Sequence, residues 1–237
     1  MREEYGIYIK RIHDLIENHA CLPPEWEYFS TAPGLNRKFA PDGAFRPFYG
    51  DTTVFPLPED VQKALGVIQT SLYDAAGGML SQALPVSTFH ITLHDLSASE
   101  SQTEISERVK YHQAQMPQKL SSIRNQGRIH LRAAGLVSMV ASSVVMLFEP
   151  ASAADHSIIQ HIYGCMDELL PLSYPLTLHC TLAYYKPGTY APREWNALEQ
   201  FMLNHNREQI NLLEFELDSA ALEYQLFRSM KDYCKAL

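Results

Sequence analysis

One phrase occurs twice in this chain. Residues 88–93 read TFHITL and residues 177–182 read TLHCTL, four of six positions being identical. Their histidines, His90 and His179, stand 89 positions apart (179 − 90). The surroundings repeat as well, and this constrains the fold more than any other feature. Before the first copy, TTVFPL (52–57) reads as a strand. A helix follows, opened by Pro58, Glu59 and Asp60, with Val61, Ala64, Leu65, Ile68 and Leu72 on its apolar stripe. Before the second copy, SSVVMLF (142–148) reads as a strand and SAADHSIIQHIYGCMDELL (152–170) as a helix. A strand–helix–strand unit is therefore present twice, too long a period and too few copies for a solenoid. Two such units predict two similar lobes facing each other across a pseudo-two-fold axis.

Alternation along a strand decides what each copy presents. STFHITLHDL (87–96) and LTLHCTLAYY (176–185) both read as strands. His90 and Thr92 then share one face, with Phe89, Ile91 and Leu93 behind; His179 and Thr181 share the other lobe's face, with Leu178, Cys180 and Leu182 behind. Two imidazoles facing one cleft make an acid–base couple, because the group titrates near neutrality. The threonine hydroxyls supply hydrogen bonds to non-bridging oxygens of an attacked group. A phosphodiester suits this pairing, with entering and leaving oxygens on opposite sides and no metal required. One H-x-T triplet among ten histidines would mean little; two inside the same T-h-H-h-T-L phrase, each closing a strand–helix unit, mean much more.

The paired motifs, His90-Ile91-Thr92-Leu93 and His179-Cys180-Thr181-Leu182, resemble the signature of the 2H phosphoesterase superfamily, which includes LigT-type and cyclic-phosphodiesterase-type enzymes. The segment RKFAPDGAFRPFYGDTTV resembles the region upstream of the first motif in an uncharacterised LigT-like subfamily. The resemblance spans roughly residues 50–230. It implies a bilobal α+β fold with two antiparallel sheets around a central cleft and helices outside. It also implies cleavage or formation of cyclic or 2′-linked phosphodiesters without metal or cofactor. The expected partner is a small anionic nucleotide or an RNA end bearing a 2′,3′-cyclic phosphate. A non-catalytic nucleotide-binding module of the same fold and a metal-dependent hydrolase are the alternatives. Residues 1–49 are expected to form an N-terminal helix and hairpin extension, and residues 50–230 a single bilobal domain with motif lobes at about 50–100 and 140–190.

Several further residues are candidates. Tyr185 lies four positions past Thr181, so strict alternation puts it on the cleft face, either to stack on a base or bond a phosphate oxygen, or to pack between lobes. Tyr184 then points to the core. Lys38, Arg46 and Tyr49 flank the first lobe's opening strand and are the nearest cations and phenol in sequence, Lys38 being the substrate-binding candidate. His94 falls on the face of His90 and Thr92, but i and i+4 on a strand lie about 13 Å apart, too far to share one ion, so a rim role fits better. Arg128, His130 and Arg132 alternate on a strand and would form a basic patch. Cys180 faces the core as a small hydrophobe.

Net charge is −8, which opposes coating of a long phosphate backbone and predicts no extended nucleic-acid surface; a local cation pocket remains compatible. The apolar share of 46% suffices for a sizeable core. Four cysteines without C-x-x-C spacing, no signal-peptide core and no run long enough for a membrane span predict a cytoplasmic, monomeric protein. Elsewhere the periodicity predicts a helix over 3–19, its stripe including His19, stopped by CLPPEW (21–26). It also predicts a turn at Pro41–Asp42–Gly43, a helix over 106–116, strands over 128–139 and 142–148, and a helix over 192–206. INLLEFELDSAALEYQLF (210–227) reads as one or two strands bent at Asp218–Ser219 as a hairpin.

Overall fold

The computed structural model describes residues 3–19, 28–208 and 213–237; the expected stop at CLPPEW and the side chain of His19 lie outside the described residues. Two four-stranded antiparallel sheets form the body. The first has the order β10 (Asp232–Lys235), β9 (Glu223–Ser229), β2 (Tyr49–Pro56), β3 (His90–Ser99). The second has the order β8 (Glu214–Asp218), β4 (Arg128–Met139), β5 (Ser143–Pro150), β6 (His179–Tyr184). The motif strands β3 and β6 are thus edge strands, each beside the strand that opens its repeat. A short pair, β1 (Phe29–Ser30) with β7 (Thr189–Tyr190), lies apart. The architecture is the α+β bilobal arrangement anticipated from the repeat.

The duplication extends to register. Val54 pairs with Thr92 and Pro56 with His90; Val145 pairs with Thr181 and Leu147 with His179. In both lobes a bulge follows at the same place. Thr53 and Val54 face His94 and Thr92, leaving Leu93 as the extra residue; Val144 and Val145 face Ala183 and Thr181, leaving Leu182 extra. A bulge adds one residue to one strand and reverses the facing of everything beyond it.

Helix α3 (Glu59–Ala76) joins β2 to β3, and α5 (Ala153–Asp167) joins β5 to β6. The amide of Asp155 donates to the Ser152 hydroxyl at the start of α5, satisfying one free donor there. Gln69 of α3 reaches the other lobe, its amide donating to the Leu182 carbonyl at 2.9 Å. Helix α1 (Tyr5–His19) docks on the second lobe: the Tyr8 hydroxyl donates to the Phe148 carbonyl and accepts from the Leu178 amide. Helix α4 (Gln102–Ile123) runs straight through Pro117, well beyond the expected 106–116. Its length is set by the buried stripe Ile105, His112, Met116, Leu120, Ile123, which outweighs one lost backbone donor. Helix α2 (Leu35–Lys38) is short, and α6 (Pro192–Glu208) lies against α3 and β4.

Two polar features hold the first lobe. Buried Asp51 accepts from the Ser97 amide at 2.8 Å, the Tyr224 hydroxyl at 2.9 Å and faces His112 Nδ1 at 2.8 Å, joining β2, β3, β9 and α4. Gly50 is required for close approach: a Cβ there would meet Phe227 Cζ at 2.1 Å and the Ser97 carbonyl at 2.2 Å. The Pro41–Gly43 turn is present, with Gly43 at φ +85° and a single bridge between Phe39 and Phe45.

The expected hairpin at Asp218–Ser219 is not formed. Strand β8 pairs with β4 in the second lobe, while β9 pairs with β2 in the first. The turn of helix at Ser219–Ala221 carries the chain from one sheet to the other. Alternating strands on both sides of a short turn look alike in sequence whether they pair with each other or with separate neighbours.

Candidate active site

Strands β3 and β6 meet along a cleft enclosing about 800 Å³, within the range of small-ligand sites. His90, Thr92, His179 and Thr181 all line it, each half-buried. The Cys180 thiol is buried and lies against the His90 backbone, so the two motif strands adjoin here.

The two histidines are held identically. His90 Nδ1 lies 2.7 Å from the Thr88 carbonyl, and His179 Nδ1 lies 2.7 Å from the Thr177 carbonyl. A carbonyl only accepts, so both rings carry their proton on Nδ1 when neutral. Nε2 is then left as the acceptor facing the cleft. The first threonine of each T-h-H phrase is therefore an orienting residue through its backbone, a role that the phrase contained but strand alternation did not reveal.

Electrostatics push both rings toward the neutral form. Burial lowers His90 from 6.5 to about 4, with the nearby His179 adding to the fall and the Thr88 carbonyl and Asp95 opposing it. Burial also lowers His179, opposed by the Thr177 carbonyl and Asp95. Among the described residues, the charged side chains lining the cleft, besides the histidines, are Arg11, Lys38, Asp51 and Asp95. Arg11 is held by both oxygens of Glu3 and donates to the Leu176 carbonyl at 2.7 Å and Thr177 Oγ1 at 2.9 Å. Asp51 is buried in its own network. Lys38 and Asp95 are left to face the cavity. Lys38 Nζ sits 5.2 Å from the Phe48 ring centre and 5.8 Å from that of Tyr184, and burial lowers its ammonium.

The paired bulges redirect the residues that follow. Tyr184, not Tyr185, lines the cleft, and burial pushes its phenol up to about 12, so it stays a donor. Tyr185 is fully buried against Phe29 and Trp195, its hydroxyl donating to Ser138 Oγ at 2.8 Å. In the other lobe His94 turns inward, 1% exposed, beside Asp167 and the Tyr163 ring, and Asp95 takes the cleft position equivalent to Tyr184 (95 + 89). Strict alternation fails at both sites for the same reason.

Other candidates fall outside the cleft. Arg46 is exposed and donates to the Asn36 carbonyl, and neither it nor Tyr49 lines the cavity. Arg128 and His130 pair with Glu216, His130 also with Asp155, and Arg132 with Glu149, so no free basic patch forms. Tyr233 of β10 was outside the expected domain core; its ring lies 4.9 Å from that of His90 and lines the cleft. Among the described residues no group of three His, Cys, Asp or Glu could hold a metal ion, and no helix is long and apolar enough to cross a membrane.

These observations define an α+β fold of two antiparallel lobes with a mirrored histidine–threonine cleft. No protein-family model matches the chain, and no curated protein does. Among solved structures it is similar to ATU0111 of Agrobacterium tumefaciens, a conserved protein of unknown function, at 19% identity and a TM-score of 0.65, covering 88% of this chain and 93% of that one. It also matches TT0787 of Thermus thermophilus (17% identity, TM-score 0.47, 79% and 94% covered). A further match is LigT of Escherichia coli (12% identity, TM-score 0.45, 80% and 95% covered). The likeness to ATU0111 is one of fold.

Proposed function

We propose that the chain is a phosphoesterase that hydrolyses a cyclic or 2′-linked phosphodiester of a small nucleotide or RNA end. The observation that carries this reading is the mirrored pair of imidazoles, each tied through Nδ1 to a threonine carbonyl and each accompanied by a threonine hydroxyl. The substrate phosphorus sits between the two Nε2 atoms. One Nε2 takes a proton from water as its oxygen bonds to phosphorus. The other, protonated, gives its proton to the departing oxygen as the phosphorus–oxygen bond breaks. Thr92 and Thr181 donate to the non-bridging oxygens, and Lys38 supplies a cation from the same cleft lining. The couple needs one proton, yet burial disfavours the charged form of both rings. The charge of the bound phosphodiester restores that proton, since a neighbouring anion favours the imidazolium.

The test is turnover of 2′,3′-cyclic nucleotides, cyclic dinucleotides and 2′-5′ oligonucleotides by wild type, His90→Ala and His179→Ala. Loss of each general acid–base group lowers kcat by about 10²- to 10⁴-fold, with the double variant little worse than either single one. Tight binding without turnover of any member by wild type overturns the reading in favour of a binding module. Activity abolished by a chelator and restored by zinc or manganese overturns it in favour of metal-dependent hydrolysis.

A further inference from the structure

The mirrored cleft is asymmetric at one pair of positions. Beyond the bulges, one lobe presents the Tyr184 phenol and the other the Asp95 carboxylate. An exposed carboxylate in a cavity meant for an anion repels its own ligand, unless another part of that ligand pairs with it. Asp95 Oδ2 accepts from the Tyr174 hydroxyl at 2.8 Å, which fixes the plane of the group. Among the described residues Oδ1 has no hydrogen-bond partner and the carboxylate makes no salt bridge within 4 Å; Lys38, over its two aromatic rings, acts on it only at longer range. Five strand positions, shortened by one bulge, separate the backbones of His90 and Asp95 by about 13–16 Å along β3, and the Asp95 charge still reaches both imidazoles. A phosphate held at the histidines therefore brings the far edge of its own nucleoside to Asp95, past Thr92.

We infer that Asp95 selects the base of a bound nucleotide by accepting hydrogen bonds from paired N–H donors, which among the four common bases is the edge of guanine. This rests on the phosphoesterase reading for the position of the phosphate. A carboxylate only accepts. Guanine offers N1–H and N2–H side by side. Adenine and cytosine place a ring-nitrogen lone pair beside their single amino donor, and uracil flanks its one N–H with two carbonyls, so each of these sets a lone pair against the carboxylate. Selection therefore comes from repulsion of the wrong edges as much as from attraction of the right one. The aromatic rings of Phe48, Tyr184, Phe227 and Tyr233 in the same lining give the base a surface to lie on.

The experiment compares kcat/KM for the four nucleoside 2′,3′-cyclic monophosphates in wild type and Asp95→Asn. Asp95 is exposed, so the substitution leaves the fold intact, which a melting curve verifies. Wild type is expected to favour the guanosine substrate over the adenosine one by about tenfold or more, the worth of charged hydrogen bonds. Asp95→Asn is expected to bring that ratio within about threefold, whatever the change in absolute rate, because the Asp95 charge acts on both imidazoles equally for all four substrates. No guanosine preference in wild type, or an unchanged ratio in Asp95→Asn, overturns the inference. If no substrate turns over, the four 3′-monophosphates are titrated by calorimetry. Guanosine-selective binding lost in Asp95→Asn then upholds the role of Asp95 while the phosphoesterase reading fails; unselective or absent binding overturns both.

Discussion

Val140 and Ala141 stand at φ 43° and 52° in the turn joining β4 to β5, with the Ser142 amide donating to the Met139 carbonyl. Asn-Gly normally fills such a turn, because the left-handed region crowds a Cβ and a branched one most. Val140 is 75% exposed and lines the cleft, so an apolar rim is retained against backbone strain. Val140→Asn is expected to raise stability by about 1 kcal/mol, read as a higher Tm, while KM rises through loss of the apolar contact; a lower Tm would refute the strain. The histidines set a second expectation. Free-enzyme pKa values govern kcat/KM, and both are depressed, His90 to about 4. The singly protonated couple is therefore lost as pH rises past values below the ordinary 6.5. The optimum of kcat/KM falls on the acid side of 6.5, and the profile of kcat lies at higher pH, because bound anion raises the imidazoles. Coincident profiles centred above 7 would contradict this. His90, Thr92, His179 and Thr181 were legible in the sequence because they precede the bulges, where alternation still holds. Tyr184 and Asp95 were not, because nothing in TLAY or TLHD marks the leucine that will be left unpaired.

At the scale of elements, α1 contributes to the site from outside the duplicated core. Arg11 joins Glu3 of the same segment to the Leu176 carbonyl and Thr177 Oγ1. Thr177 is the residue whose carbonyl orients His179. Arg11→Ala is expected to lower kcat several-fold with little change in KM and to shift the pH limb belonging to His179, since an orienting bond worth about 1 kcal/mol or more is loosened. Lys10→Ala, which removes only an exposed pair with Asp14, serves as the control. An equal fall in both variants, or an unmoved pH profile in Arg11→Ala, would reduce Arg11 to a packing residue. The existence of α1, α3, α5 and α6 was readable from their three-to-four spacing. Their docking partners were not, because an apolar stripe says that a face is buried and not against what. The strands β8 and β9 show the same limit more sharply, since their alternation fits a hairpin as well as the separate sheets they join.

At the scale of the molecule, burial lowers five histidines among the described residues, His90, His94, His156, His179 and His205. The unfolded chain takes up protons at these groups near 6.5, while the folded chain resists until lower pH. Their neutral burial thus costs nothing above about 6.5, and stability falls as pH drops from there toward about 4, where His90 itself titrates in the fold. His130, raised by Asp155 and Glu216, runs in the opposite sense but is exposed. Tm is expected to decrease from pH 7 to pH 5, with net proton uptake on unfolding; a flat or rising Tm would exclude this account. The passage of the chain between sheets at Ser219–Ala221 has a consequence for synthesis. The sheet that carries His90 has β2 and β3 made early, but β2 must wait for β9 to pair along its free side. Until residues 223–235 leave the ribosome, Asp51 lacks Tyr224 and His90 lacks Tyr233. The second lobe can complete its sheet with β8, so a nascent chain holds His179 in its sheet before β9 and β10 join the sheet that carries His90. Premature termination anywhere before β9 therefore leaves β2 with an open strand edge, exposed to aggregation.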